Sequence, residues 1–310
     1  NEVYSTSFGS SSAPGHDPTV AIPVYSVSKW IAGAVIMDLV EDGVIALSDK
    51  PASVIPWLTQ GDSRVAQITV EMLLAHTSGM RSLLVGEPCV SDPGDTLQSC
   101  VNRISKRTLA YKPGTHFNYS QRNHQVLAYY AQVVTGESWA RLVEDRLLDP
   151  CGLDATAYVG IDRSDEADID DPTNNPWVAG GLVSDLDDLA VFADLMLDGT
   201  CGTTTILSPG TLAAMRTDRV CGNVALGFSP FLLTSYHYGL SVLGDRCNWG
   251  TEPNLYSHPG AGGTIPWIDT GRDYTAVLFL DAGTSNGLTK GSGLWDDVRP
   301  LIAAQIDAVG

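Results

Sequence analysis

A serine and a lysine three residues apart, Ser26 and Lys29, stand at the head of Trp30-Ile31-Ala32-Gly33-Ala34-Val35-Ile36-Met37-Asp38-Leu39-Val40, a run that is apolar but for Asp38. Residues at that spacing share one face of a helix. A serine at the positive end of a helix has N–H groups and a favourable dipole beside it. A lysine at the head of a buried helix loses hydration, which favours its neutral, basic form. Nucleophile, base and an electropositive cradle therefore coincide in one helical turn, as covalent acyl chemistry requires. A solitary S-x-x-K also fits a capping serine followed by a solvated lysine, so the rest of the chain has to decide.

The helix that carries the pair is apolar nearly all round and must be wrapped by the rest of the domain. It is too short to cross a bilayer. Glu41-Asp42-Gly43 stops it, and Thr69 caps a further helix that ends in His76-Thr77-Ser78-Gly79-Met80. Helices are expected from about 122 to 135, 137 to 148 and 185 to 197. Strands are expected at 2–8, 238–242, 255–260, 264–269 and 274–280, with an amphipathic last helix near 294–308. Strand first, helices in the middle, strands and a helix last predict an α/β (α+β) fold in one domain over 1–310. Residues 1–25 and 222–310 would build an antiparallel sheet flanked by helices, with 26–221 an inserted, mainly helical subdomain.

The chain has 310 residues, 44% hydrophobic and 17% charged, which suits a globular domain with a sizeable core. Its net charge of −18, with five lysines, argues against nucleic acid and anionic membrane as partners. Six cysteines (Cys89, Cys100, Cys151, Cys201, Cys221, Cys247) contain no C-x-x-C pair. That pattern fits three disulfides and an oxidising, extracytoplasmic location, with neither metal nor organic cofactor expected. The local pairings Cys89–Cys100 and Cys201–Cys221 are expected, leaving Cys151–Cys247. No signal peptide is visible, so a mature secreted form is expected.

The order of motifs resembles the serine β-lactamase and penicillin-binding-protein superfamily, in the branch of class C β-lactamases, DD-peptidases, D-aminopeptidases and family VIII esterases. Ser26-Val27-Ser28-Lys29 matches its S-x-x-K, and Leu74-Ala75-His76-Thr77-Ser78-Gly79 its L-x-H-T-S-G. Pro113-Gly114 with Phe117-Asn118-Tyr119-Ser120 matches the block that brings in a catalytic tyrosine. Ala179-Gly180-Gly181-Leu182-Val183-Ser184 and His258-Pro259-Gly260-Ala261-Gly262-Gly263 match two later blocks. The resemblance covers nearly the whole chain. It implies a β-lactamase/transpeptidase-like fold and an acyl-enzyme at Ser26, with Lys29 and Tyr119 as a coupled proton-transfer pair. The N–H groups of Ser26 and Ala261 would form the oxyanion hole. Gln121, His258, Gly260 and Trp177 would contact substrate.

Three departures from the family pattern bear on substrate. Gln121 stands where the tyrosine motif usually has Asn, and only 25 residues precede Ser26, about half the usual number, so the family's opening helix and a first strand are not expected in this sequence. The late K-T-G is His258-Pro259-Gly260. Proline lacks a hydroxyl and an N–H, which costs no ladder bond on a sheet edge, and substrates that need the threonine hydroxyl for a carboxylate, as β-lactams do, should bind poorly. The expected activity is a secreted serine hydrolase on an ester or amide, of carboxylesterase or D-amino-acid peptidase type. The alternatives are an acyltransferase or transpeptidase at the same site, or an inactive binding protein on the same scaffold.

Other motifs read as structure. Gly283-Thr284-Ser285-Asn286-Gly287 is a literal G-x-S-x-G, but all six histidines precede it, so the acid-then-histidine order of that elbow cannot follow. His76, His116 and His124 lack metal spacing. The acidic stretch 162–171 lacks the glycine and terminal Glu of a calcium loop. Asn118-Tyr119-Ser120 is a glycosylation sequon expected to stay unmodified beside the catalytic tyrosine.

Overall fold

The computed structural model describes residue 6 and residues 17–82, 88–92, 94–222, 224–229, 236–246 and 254–309. The opening strand expected at 2–8 and Cys247 lie outside the described residues, Thr6 apart. The central helix is Val27–Glu41, buried at twelve positions that include Ser28 and Lys29. It touches the helices Gln121–Thr135, Trp139–Val143 and Pro209–Arg216 and the strand Gly263–Asp269. Each fully buried Val, Leu or Ile contributes about 1.5–3 kcal/mol. That outweighs the ~1 kcal/mol cost of Gly33 in a helix interior. Gly33 is there for space, since a Cβ would meet the Ser241 Cβ at 2.5 Å.

Five antiparallel strands form the main sheet, in the order Tyr274–Asp281, Gly263–Asp269, Leu255–Ser257, Leu243–Arg246, Tyr236–Tyr238. The period-2 alternation of a strand sorts its two faces. Leu255, Ile265 and Trp267 pack under Trp295 and Ile302 of the last helix, while Ile268 joins the helical core. The last helix, Gly287–Val309, begins seven residues earlier than the sequence suggested, because its first turns are glycine-rich. Gly287 and Gly291 lie against the backbone of residues 261–263, where a Cβ would come within 2.3–2.5 Å.

Three other expectations are corrected. Residues 239–242 are not strand. They turn the hairpin after Tyr238, with Ser241 at φ 58, and Leu240 and Val242 plug into the helical core. The strand Leu255–Ser257 is the middle one of five, not an edge; Pro259 is tolerated because it follows the strand's last residue, in the turn closed by Gly260 N–H donating to Thr264 O at 2.8 Å. Cys89–Cys100 is formed as expected, but Cys201 pairs with Cys151, not Cys221, and so Cys151 is not paired with Cys247. The hairpin of Thr200–Cys201 with Thr204–Thr205 turns Cys201 to the short helix Asp149–Cys151, with the two Cα atoms 5.0 Å apart. Cys221 is also disulfide-bonded.

Among the described residues, no helix is long and apolar enough to cross a membrane. Residues 17–25 join the helical part, where the short strand Ile22–Pro23 pairs with Leu182–Ser184, itself paired with Ala157–Tyr158.

Candidate active site

Ser26 is gripped from both sides by the strand Leu182–Ser184. Val24 N–H donates to Leu182 O at 3.0 Å, and Leu182 N–H donates to Ser28 Oγ at 3.2 Å. Between them Tyr25 adopts φ 47, a left-handed conformation that an aromatic residue holds only under constraint. Ser26 follows at the N-cap position, yet its side chain makes no capping bond. Its hydroxyl is left for Lys29, one turn on.

Lys29 has no solvent exposure. Its Nζ lies 3.1 Å from Ser26 Oγ, donates to Ala179 O at 2.6 Å, and stands 4.8 Å from the centre of the Tyr119 ring. Burial lowers its pKa from 10.5 to about 7. Burial drives the Tyr119 phenol the other way, well above the ordinary tyrosine range, opposed in part by a hydrogen bond with the Ser26 side chain. Near neutral pH, Lys29 is therefore the member of the pair with a lone pair to offer, and Tyr119 the member that keeps its proton.

The third wall is the turn after Leu255–Ser257. His258 is fully buried, with Nε2 3.2 Å from Tyr238 Oη. Burial first, and the charge of Lys29 second, push its pKa well below the ordinary histidine value. Gly260 packs so closely on the approach to the serine that a Cβ would lie 2.4 Å from Val24 O. Among the described residues, neither Ser26 N–H nor Ala261 N–H donates to an acceptor. Two unclaimed N–H donors, if they converge on one point, are what a developing oxyanion would need.

Ser26, Gln121, Trp177 and Ala261 are half-buried, whereas Lys29, Tyr119, His258 and Gly260 are buried. Trp177 Nε1–H donates to Gln121 Oε1 at 2.9 Å, so these two side chains act as one wall. Of the residues expected at the site, Ser26, Lys29 and Tyr119 stand in mutual contact, the His258 ring lies 6.1 Å from that of Tyr119, and Gly260 packs on the backbone of Val24. Sequence reasoning missed the Ala179 carbonyl, Tyr238 and Asn123. A backbone carbonyl carries no side-chain signal, and the other two become visible only once the elements pack.

The remaining motifs fall elsewhere. Ser285 sits on an exposed turn between the last strand and the last helix. His124 Nε2 lies 3.0 Å from Ser241 Oγ, and His116 Nδ1 lies 2.9 Å from Thr115 Oγ1. Asn118 is buried, with Nδ2 donating to Met80 O. In the acidic stretch, Asp162 and Asp165 accept from nearby N–H groups of their own loop.

A family model described as Beta-lactamase matches residues 1–291. Penicillin-binding protein 4 of Amycolatopsis lactamdurans is 27% identical over 283 residues, covering 84% of this chain and 72% of that protein. Protein flp of Staphylococcus aureus is 29% identical over 142 residues, covering 46% of this chain and 28% of that protein, so the match spans less than a third of flp. A Bacteroides dorei structure described as a candidate beta-lactamase superposes with a TM-score of 0.72 at 25% identity, covering 87% of this chain and 80% of that one.

Proposed function

The chain belongs to the beta-lactamase family, and on that premise we propose that it is a serine hydrolase that cleaves esters or amides through an acyl-enzyme at Ser26. The observation that carries this reading is the fully buried Lys29 Nζ, 3.1 Å from Ser26 Oγ, with its pKa lowered to about 7. Neutral Lys29 takes the hydroxyl proton as Oγ attacks the acyl carbon. The Ser26 and Ala261 N–H groups hold the oxyanion of the tetrahedral adduct. Collapse breaks the bond to the leaving group, which takes up a proton through Tyr119 and Lys29. Water then attacks the Ser26 ester by the same route in reverse.

The substrate class proposed is a neutral acyl ester or amide rather than an anion. The site adds no cationic side chain at position 258, where the family pattern has lysine, and the chain as a whole carries −18. Intact mass spectrometry after mixing with an activated ester tests the reading. The expected result is one acyl adduct that peptide mapping places on Ser26 and that Ser26→Ala abolishes. An adduct on Ser285, or none at all while the ester is hydrolysed, overturns it.

A further inference from the structure

Tyr119 is bolted in place by the segment that follows the helix Val70–Leu74. His76 O accepts from Asn118 N–H at 2.8 Å, and Met80 O accepts from Asn118 Nδ2. His76 Nδ1 receives two donors, Ser120 N–H at 3.2 Å and Asn123 Nδ2 at 2.7 Å. Ser78 Oγ–H donates to Asn123 Oδ1 at 2.6 Å, with the NH2 of that amide towards the ring. The His76 and Tyr119 rings lie 4.5 Å apart, and His76 is wholly buried at φ 56.

These contacts determine the state of the ring. The Ser120 backbone N–H can only donate, so Nδ1 must carry a lone pair. A protonated Nδ1 would face two donors with a third. The proton of the imidazole is therefore on Nε2. Around the ring stand His124, Lys29 and His258, and the rings of Tyr119 and Tyr238 lie 4.5 Å and 5.2 Å away.

We propose that His76 is a positioning residue for Tyr119: its Nδ1 lone pair anchors Ser120 and Asn123 at the start of the helix Gln121–Thr135, and so sets where the phenol stands relative to Ser26 and Lys29. The inference rests on Tyr119 acting as the proton carrier proposed above. His76 touches neither substrate nor the reacting atoms. Its effect falls on the geometry of proton transfer, so it should appear in kcat and leave KM nearly alone. A misplacement of about 1 Å can cost about 100-fold.

The test compares kcat and KM for a neutral p-nitrophenyl ester in four proteins, each corrected for the folded fraction. They are the unaltered protein, Tyr119→Phe, His76→Asn and His76→Phe. Asn places Oδ1 where Nδ1 stands and tolerates a left-handed φ, whereas Phe keeps the ring and loses the acceptor. His76→Asn is expected to stay within about threefold in kcat. His76→Phe is expected to lose about 10- to 100-fold in kcat with KM nearly unchanged. Equal kcat losses in both variants, or none in either, overturn the proposal. If His76→Phe fails to fold, His76→Asn decides alone, and a large kcat loss there counts against the acceptor role. Nitrogen-15 NMR of the unaltered protein at pH 7 must find His76 as the Nε2–H tautomer; a proton on Nδ1 also overturns it. Nearly full activity in Tyr119→Phe removes the proton-carrier reading itself, an outcome separate from those of the His76 variants.

Discussion

Tyr238 Oη and His258 Nε2 share a buried hydrogen bond of 3.2 Å, which ties the last residue of one strand to the turn beside the nucleophile. With His258 held neutral, the turn offers no point charge to a carboxylate. A neutral ester is therefore expected to exceed benzylpenicillin in kcat/KM. Converting His258→Lys together with Pro259→Thr should raise acylation by penicillin relative to the ester. Fast penicillin hydrolysis by the unaltered protein would show that another group binds the carboxylate.

The lowered pKa of Lys29 sets the pH dependence of the reaction. Only the neutral amine can take the Ser26 proton, so kcat/KM should rise with pH and level off above an apparent pKa of about 7. An inflection near 10 would mean that Lys29 is solvated in the working enzyme.

The same group makes a prediction about stability, with its sign fixed by proton counting. Between about pH 7 and 10.5 the unfolded chain binds a proton at Lys29 that the folded chain does not, so this group's contribution to stability rises with pH across that window. Below about pH 7 both states carry the proton, and the burial penalty applies in full. Lys29→Met should therefore be inactive yet more stable than the unaltered protein at pH 7, by a few kcal/mol. Denaturant titrations should show the difference shrinking towards pH 10. A constant difference across that range would count against a buried amine.

Gly260 tests the link between the turn and the nucleophile. In Gly260→Ala the new Cβ would meet Val24 O at 2.4 Å. Overpacking of this kind typically costs about 1–3 kcal/mol. Activity should fall by more than the lost folded fraction explains, because Gly260 directly precedes Ala261, whose N–H is one of the two proposed oxyanion donors. Thermal melts read alongside ester turnover would separate the two effects.

The five cysteines among the described residues are all in disulfides. Denatured, non-reduced protein should take up no maleimide, and peptide mapping should recover Cys151 joined to Cys201. Free thiols would remove the argument for an oxidising compartment.

Ser26 and Lys29 were legible as a pair because they stand one helical turn apart at the head of an apolar run, and Tyr119 through the resemblance of its block to the family pattern. The later strands were legible as elements, with Gly263–Asp269 and Tyr274–Asp281 within a residue of their expected bounds. What escaped was set by tertiary packing. Leu240 and Val242 look like strand residues, and only the helical core that receives them makes residues 239–242 a turn. The partner of Cys201 depended on a hairpin of two-residue strands, too short to leave a pattern. The last helix was read short because its glycines, which depress helix propensity, are needed where it crosses the backbone of residues 261–263.

The enclosure of Lys29 makes the catalytic proton a resident of the site. Its amine is shut from solvent and faces Ser26, Ala179 and Tyr119, so as the proposed base it would have no exchange partner in the bulk once an acyl group covered the serine. In the proposed mechanism, the proton lifted from Ser26 would then be the one handed to the departing alcohol or amine. Water or any other acceptor must enter through the space that the leaving group has vacated, so the fate of the acyl group is a contest of size and occupancy at a single doorway.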